Sequence, residues 1–190
     1  MNYRKMILLM RSKPLKSARE VALNCLTRRA LTHHELGTRL LEKGYESTEI
    51  HEVLEKMEKI GYLNDQELAL TLSRNRLRRY SRRRVLQDLQ NRGLVPQVVE
   101  QALESTYSSA AEFQQCLTLA KQWWIRESQR WDRMIQQDVP KKPLPCELAL
   151  QQKVTRKLIQ RGYPSDMVRN VLSQLQTIDH GDEYTVEPTV

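Results

Sequence analysis

Apolar residues recur along the chain at spacings of three and four, so the elements the pattern predicts are helices. Val21, Ala22, Cys25 and Leu26 form the first stripe, behind Ser17-Ala-Arg-Glu20. That tetrapeptide is a capping box, in which the Ser hydroxyl and the Glu carboxylate each satisfy a backbone N–H at the helix start. Thr32-His-His-Glu35 is a second box, opening a helix with Leu36, Leu40 and Leu41 inward and Gly44 placed to end it in the left-handed conformation. Ser47 is expected to cap a third helix with Ile50, Val53, Leu54 and Met57 inside and Gly61 past its end. Asn64-Asp-Gln-Glu67 opens a fourth, carrying Leu68, Ala69 and Leu72.

The pattern then repeats. Aligned on Gly44, Gly93 and Gly162, the residue four before is Leu40, Leu89 or Leu158, and the residue one before is Lys43, Arg92 or Arg161. One after stands Tyr45, Leu94 or Tyr163; six after, Ile50, Val99 or Val168; ten after, Leu54, Leu103 or Leu172. Agreement at so many positions marks tandem helical repeats, each too small to bury its apolar face alone. Thr32 and Ser81 stand at the same distance before their glycines and are expected to be equivalent N-caps. The third copy is longer: Ser109-Ala-Ala-Glu112 starts a helix with Phe113, Leu117, Ala120 and Trp124 on one face, and Pro140, Pro143 and Pro145 mark an inserted loop near 126–146. The expected organisation is a basic arm over 1–16, three-helix repeats over 17–63, 64–107 and 108–178, and an acidic disordered tail over 179–190. The fold class is all-α, in three tandem three-helix repeats.

Composition agrees, since Gly and Pro number only 6 and 7 among 190 residues. Net charge is +8, and its placement is informative. Arg4, Lys5, Arg11, Lys13 and Lys16 crowd the arm, and seven arginines fall between residues 74 and 84, leaving the rest of the chain net negative. From Arg74 through Gln87 there is no Asp or Glu. Like charges this close repel, and an anionic partner, nucleic acid or an acidic protein groove, would neutralise them. Phosphate is the simplest ligand. The acidic tail, with Asp179, Asp182, Glu183 and Glu187, is a candidate competitor for the same patch.

Other chemistry is weaker. His33 and His34 are adjacent on a helix, so their side chains point apart, and no partner stands at metal-ligand spacing. A surface capping region is the plainer reading. Glu52, Glu55 and Glu58 lie on a solvent face, and no nucleophile–base order or Gly-rich phosphate loop is present. The expectation is no catalytic residue, no metal and no cofactor. Trp123 and Trp131 are open to core packing or base stacking, and Trp124 falls on the core stripe. Tyr45 and Tyr163 should pack between helices with their hydroxyls wet. Cys25, Cys116 and Cys146 are scattered, which suits a reducing cytoplasm, and the apolar run Met6–Met10 is too short to cross a membrane.

At several of these points the chain resembles the RecX family, regulators of the RecA recombinase. The likeness lies in Glu35-Leu36 with Leu40-Leu41-Glu-Lys-Gly44, in Gly61-Tyr-Leu-Asn-Asp65, in the arginine segment running into Val85–Leu89 and Arg92-Gly93-Leu94, and in Lys157-Leu-Ile-Gln-Arg-Gly-Tyr163. It covers roughly residues 17 to 178. It implies an elongated, curved helical array that binds in the groove of the RecA filament on single-stranded DNA and suppresses its growth, strand exchange, ATP hydrolysis and co-protease activity; the chain is expected to be a monomer. By this resemblance Arg74, Arg76, Arg78, Arg79, Arg82, Arg83 and Arg84 are the expected contacts, with Arg92, Lys157 and Arg161 as further candidates. Where the family carries a glycine just before the second helix of this repeat, Tyr80-Ser81 stands instead. A direct nucleic-acid-binding protein without a recombinase partner is the alternative.

Overall fold

The computed structural model describes residues 16–136 and 146–179. Residues 1–15 of the expected arm, the proline-bearing stretch 137–145 and the tail beyond Asp179 lie outside the described residues. Within them stand nine helices and no strand: α1 (Ala18–Leu26), α2 (His33–Glu42), α3 (Ser47–Lys59), α4 (Asp65–Leu77), α5 (Arg82–Asn91), α6 (Pro96–Thr106), α7 (Ser109–Gln136), α8 (Cys146–Gln160) and α9 (Ser165–Asp179). They form an all-α fold of tandem three-helix repeats. None is long and apolar enough to cross a membrane.

Local chemistry sets the ends of these helices. Both boxes close: Ser17 Oγ accepts from Glu20 N–H and Thr32 Oγ1 from Glu35 N–H, while each glutamate accepts from its cap residue's N–H. Gly44, Gly93 and Gly162 have φ of 89, 76 and 88°. In each, the glycine N–H reaches back three residues and the next N–H reaches back five (Tyr45, Leu94 and Tyr163 to Leu40, Leu89 and Leu158). This is the Schellman arrangement, which satisfies two terminal carbonyls at once. Ser47 is the first residue of α3 rather than its cap; Glu46 holds the cap position without a side-chain bond. The register explains this. Ser47, Pro96 and Ser165 each stand three residues past a glycine and each opens a helix, a position suited to proline because its N–H would be unpaired anyway.

The aligned apolar frame is buried almost throughout: Leu40, Leu89 and Leu158 are at most 2% exposed, and Leu94, Val99, Leu103, Tyr163, Val168 and Leu172 are also buried. Leu41 is the exception among the expected core residues. It is 56% exposed, because the face carrying Leu36 and Leu40 is too narrow to include the next position. The described chain divides into two compact units. One holds residues up to Leu72 with Gln87–Ala102; the other holds Ser73–Leu86 with the residues from Leu103 on. In the first, α1, α2 and α3 pack on one another around Ala22, Leu36, Leu40, Val53 and Met57. In the second, α7, α8 and α9 do so around Cys116, Ala120, Val154, Leu158 and Val171.

The insertion differs from expectation. Helix α7 runs on through Gln136 for 28 residues in all, so 126–136 is helical and not loop. No Gly or Pro stands between Arg126 and Gln136 to stop it; the first breaker is Pro140.

Candidate functional site

The arginine segment runs from the last turn of α4 to the first turn of α5, and residues 73–86 of it belong with the third triplet. Its main chain is held there. The carbonyl of Arg78 accepts from Gln115 Nε2 (2.9 Å), that of Arg79 from Arg161 Nη1 (3.1 Å) and that of Tyr80 from Tyr107 Oη (3.3 Å). Ser81 N–H donates to the Arg161 carbonyl (3.1 Å), and Arg82 N–H to Glu112 Oε1 (2.7 Å). With its backbone secured, the segment presents side chains to solvent. Arg74, Arg78, Arg79 and Arg83 are exposed, and their guanidinium groups make no hydrogen bond or ion pair among the described residues. Arg76 and Arg82 are half-buried, and Arg84 is exposed. The first turn of α5 holds three arginines and no acid, opposing a helix dipole that favours negative charge there.

Lys157 and Arg161 come to the same unit and join a run of aromatic contacts. Arg76 and Arg161 both lie over the Tyr80 ring, at 5.5 and 4.9 Å from its centroid. Arg161 and Lys157 lie over Trp123, at 5.5 and 5.8 Å. Each such contact is worth about 0.5–1 kcal/mol at a solvated site. Trp123 and Trp124 pack, half-buried, on the core of the third triplet, and Trp131 is half-buried as well.

Beneath them Glu127 is 8% exposed and accepts from Lys157 Nζ (2.7 Å) and Lys153 Nζ (2.9 Å). Those two bonds hold its carboxyl down at about 2, burial working against them. The opposite shift occurs nearby: burial, with Glu112 adding to it, pushes the Cys116 thiol up to about 12. The Tyr163 hydroxyl is buried without a partner among the described residues, so it is not the wet hydroxyl expected. Burial raises its pKa first, with neighbouring Cys116 and Glu112 adding to it.

Arg92 is placed elsewhere, in the first unit, and its guanidinium is engaged. Nε and Nη2 bond both oxygens of Glu35 (2.9 and 2.7 Å), and Nη2 also bonds the Ala30 carbonyl (3.2 Å). Burial acts to raise the Glu35 pKa, but the Arg92 bond, the Thr32 N–H and the charges of Arg92 and Arg29 outweigh it, and the net shift is downward. Arg92 therefore acts as a clamp within its unit. His33 lies beside Glu58 and Asp65, and among the described residues no three or more of His, Cys, Asp or Glu gather as a metal would require.

Tyr80, Glu112, Trp123 and Glu127 carry much of this geometry and were not among the expected site residues. Two signals bore on them: Tyr80-Ser81 stands where the resemblance leads one to expect a glycine, and Lys153 and Lys157 share a helix face that a buried acid could bridge.

Fold and surface together define a class: an all-α tandem-repeat protein whose middle repeat carries a cationic segment seated on the third. Comparison with known proteins makes the assignment narrower. Residues 18–57 match the model of the RecX first three-helix domain, and residues 64–103 that of the RecX second three-helix domain. The chain belongs to the RecX family. A protein of Caldanaerobacter subterraneus subsp. tengcongensis named regulatory protein RecX is 33% identical over 98 residues, covering 51% of this chain and 50% of the relative. One of the same name from Chromobacterium violaceum is 25% identical over 158 residues, covering 83% and 90%. The crystal structure of RecX from Lactobacillus salivarius shares the fold with a TM-score of 0.63 at 19% identity, over 84% of this chain and 95% of that one. The chain spans about half the length of some of the curated relatives it matches.

Proposed function

We propose that the protein is a non-catalytic regulator that binds the RecA recombinase filament on single-stranded DNA, through the arginine segment, and inhibits its growth, ATP hydrolysis, strand exchange and co-protease activity. The relatives' name, regulatory protein RecX, supports the regulatory part of this reading. The observation that carries the site is the set of four exposed guanidinium groups, Arg74, Arg78, Arg79 and Arg83, without protein partners among the described residues. The backbone beneath these charges is already held, so an anionic surface that binds them has only the side chains left to order.

The test is a variant with Arg74, Arg78, Arg79 and Arg83 all replaced by Ala. Among the described residues these side chains hold nothing, so helicity and melting temperature stay at wild-type values while inhibition of RecA-driven, DNA-dependent ATP hydrolysis is lost. Full inhibition by the folded variant would refute the site.

A further inference from the structure

The helix-ending glycines of the second and third triplets each meet the N-cap of an earlier helix, and the two joints match almost contact for contact. In the first, Thr32 Oγ1 accepts from Glu35 N–H (3.0 Å), His33 N–H donates to Asp65 Oδ1 (3.0 Å), and Arg92 reaches the Ala30 carbonyl. In the second, Ser81 Oγ accepts from Arg84 N–H (3.2 Å), Arg82 N–H donates to Glu112 Oε1, and Arg161 reaches the Arg79 carbonyl. At both, the glycine is seated too closely for a side chain. A Cβ on Gly93 would lie 2.3 Å from His34 Cγ, and one on Gly162 would lie 2.6 Å from Ser81 Oγ and 2.9 Å from Arg84 Cβ.

One position does not match. At the first joint Glu35 sits between Arg92 and Arg29, bonding the first and lying 3.6 Å from the second. In the same register the second joint has Arg84 in place of Glu35, Arg161 in place of Arg92 and Arg78 in place of Arg29. Two cations about one acid have become three cations.

The backbone consequence of losing the acid is repaired: Thr32 N–H bonds Glu35 Oε2, whereas Ser81 N–H takes the Arg161 carbonyl instead. The charge differs by register: the acid of the first joint has no counterpart three past the second cap, and Glu112 bonds the Arg82 N–H just as Asp65 bonds that of His33. Arg84 makes contacts of its own, so the argument rests on the charge at the joint and not on a free group.

We infer that the second joint is a phosphate site: an oxyanion of a nucleic-acid backbone takes the place that the Glu35 carboxylate holds in the first, held by Arg78, Arg84 and Arg161. A polynucleotide suits it better than a protein carboxylate, because Arg74, Arg79 and Arg83 continue the cationic track beyond the joint, matching a ligand whose charge repeats. This deepens the function proposed above and rests on the arginine segment being the contact surface.

The test uses the full chain without recombinase and a fluorescein-labelled 20-nucleotide oligo-dT, read by anisotropy between 50 and 200 mM salt. R84E restores the acid that the first joint has, so its melting temperature equals or exceeds that of wild type while the oligonucleotide binds at least about tenfold more weakly. R84Q, which needs no new ion pair to fold, weakens binding less and lowers the salt slope by about 0.7. Affinities of both variants within twofold of wild type, or no oligonucleotide binding by wild type at 50 mM salt, would overturn the inference. So would a loss confined to recombinase filaments, which would assign the anion to a protein carboxylate. Inhibition lost in the quadruple alanine variant with oligonucleotide binding untouched by R84E would sink the phosphate site alone; the reverse pair would sink the recombinase reading alone.

Discussion

Replacing Glu127 by Gln keeps the side chain's shape and one acceptor oxygen but removes the charge that Lys153 and Lys157 share. A carboxyl held at about 2 against an ordinary value near 4.5 corresponds to at most roughly 3 kcal/mol of stability. The lysine side chains are 41% and 39% exposed, so solvent screens the pair and the working figure falls to between about 1 and 2 kcal/mol. For a chain of this size that lowers the melting temperature by roughly 2–8 °C at pH 7. The folded-state carboxyl titrates below the unfolded one, so the stabilisation is complete above about pH 5 and is lost as the pH falls from about 4.5 to 2. Thermal melts of wild type and E127Q, followed by circular dichroism from pH 7 to pH 2.5, should therefore converge toward acid pH. A gap that stays constant over this range would show that E127Q acts through packing, and the electrostatic account of the Lys153–Glu127–Lys157 group would be wrong.

Three further outcomes follow from the geometry. G61A meets nothing within 4 Å at its φ of +79° and costs only the backbone strain of about 1 kcal/mol, whereas G162A adds a clash with Ser81 and Arg84 and should cost about 3 kcal/mol in urea unfolding; equal costs would deny the close joint. Y163F removes a buried hydroxyl without a described partner and should raise the melting temperature by about 2–4 °C, and a fall would reveal a bond to it. In a C146S background at pH 8, maleimide should label half-buried Cys25 and leave Cys116 untouched until the protein is denatured, because Cys116 is fully buried with its thiol pushed up to about 12. Labelling of native Cys116 at a comparable rate would contradict that.

How much of this stood in the sequence differs by scale. Features decided within a few residues were legible: the boxes at Ser17 and Thr32, the left-handed glycines, and the apolar frame repeated about each one. Where the sequence reading failed, a longer-range fact decided. The difference in copy lengths starts the loop at 126, although only a breaker such as Pro140 can stop a helix as regular as α7. Spacing alone puts Leu41 inside, but the width of the buried face is set by what packs on it. Arg92 and Arg161 share a register and read as equivalent candidates. One is clamped by Glu35 and the other lies on Tyr80 and Trp123, and the difference arises because Glu35 and Arg84 stand 57 and 77 residues away from them in the chain. No local pattern carries such pairings. Setting Thr32-Glu35-Arg92 beside Ser81-Arg84-Arg161 does contain the charge inversion, once the joint is known to bring the three together.

At its centre the joint at Ser81 is closed by main-chain groups and one hydroxyl: the Ser81 N–H on the Arg161 carbonyl, the Arg84 N–H on the Ser81 hydroxyl, and a glycine with no side chain to intrude. Such a fastening is indifferent to the sign of the side chains around it. Thr32 and Ser81 demonstrate the tolerance, one under an acid and the other under a base, with the same architecture beneath. For mutation and selection this separates two demands that usually conflict, since the outer residues of a repeat can be exchanged for new partners without renegotiating how the helices are tied. It also gives a designer a place to write charge: the position three past the cap, where one residue sets whether a joint seals itself or waits for a ligand.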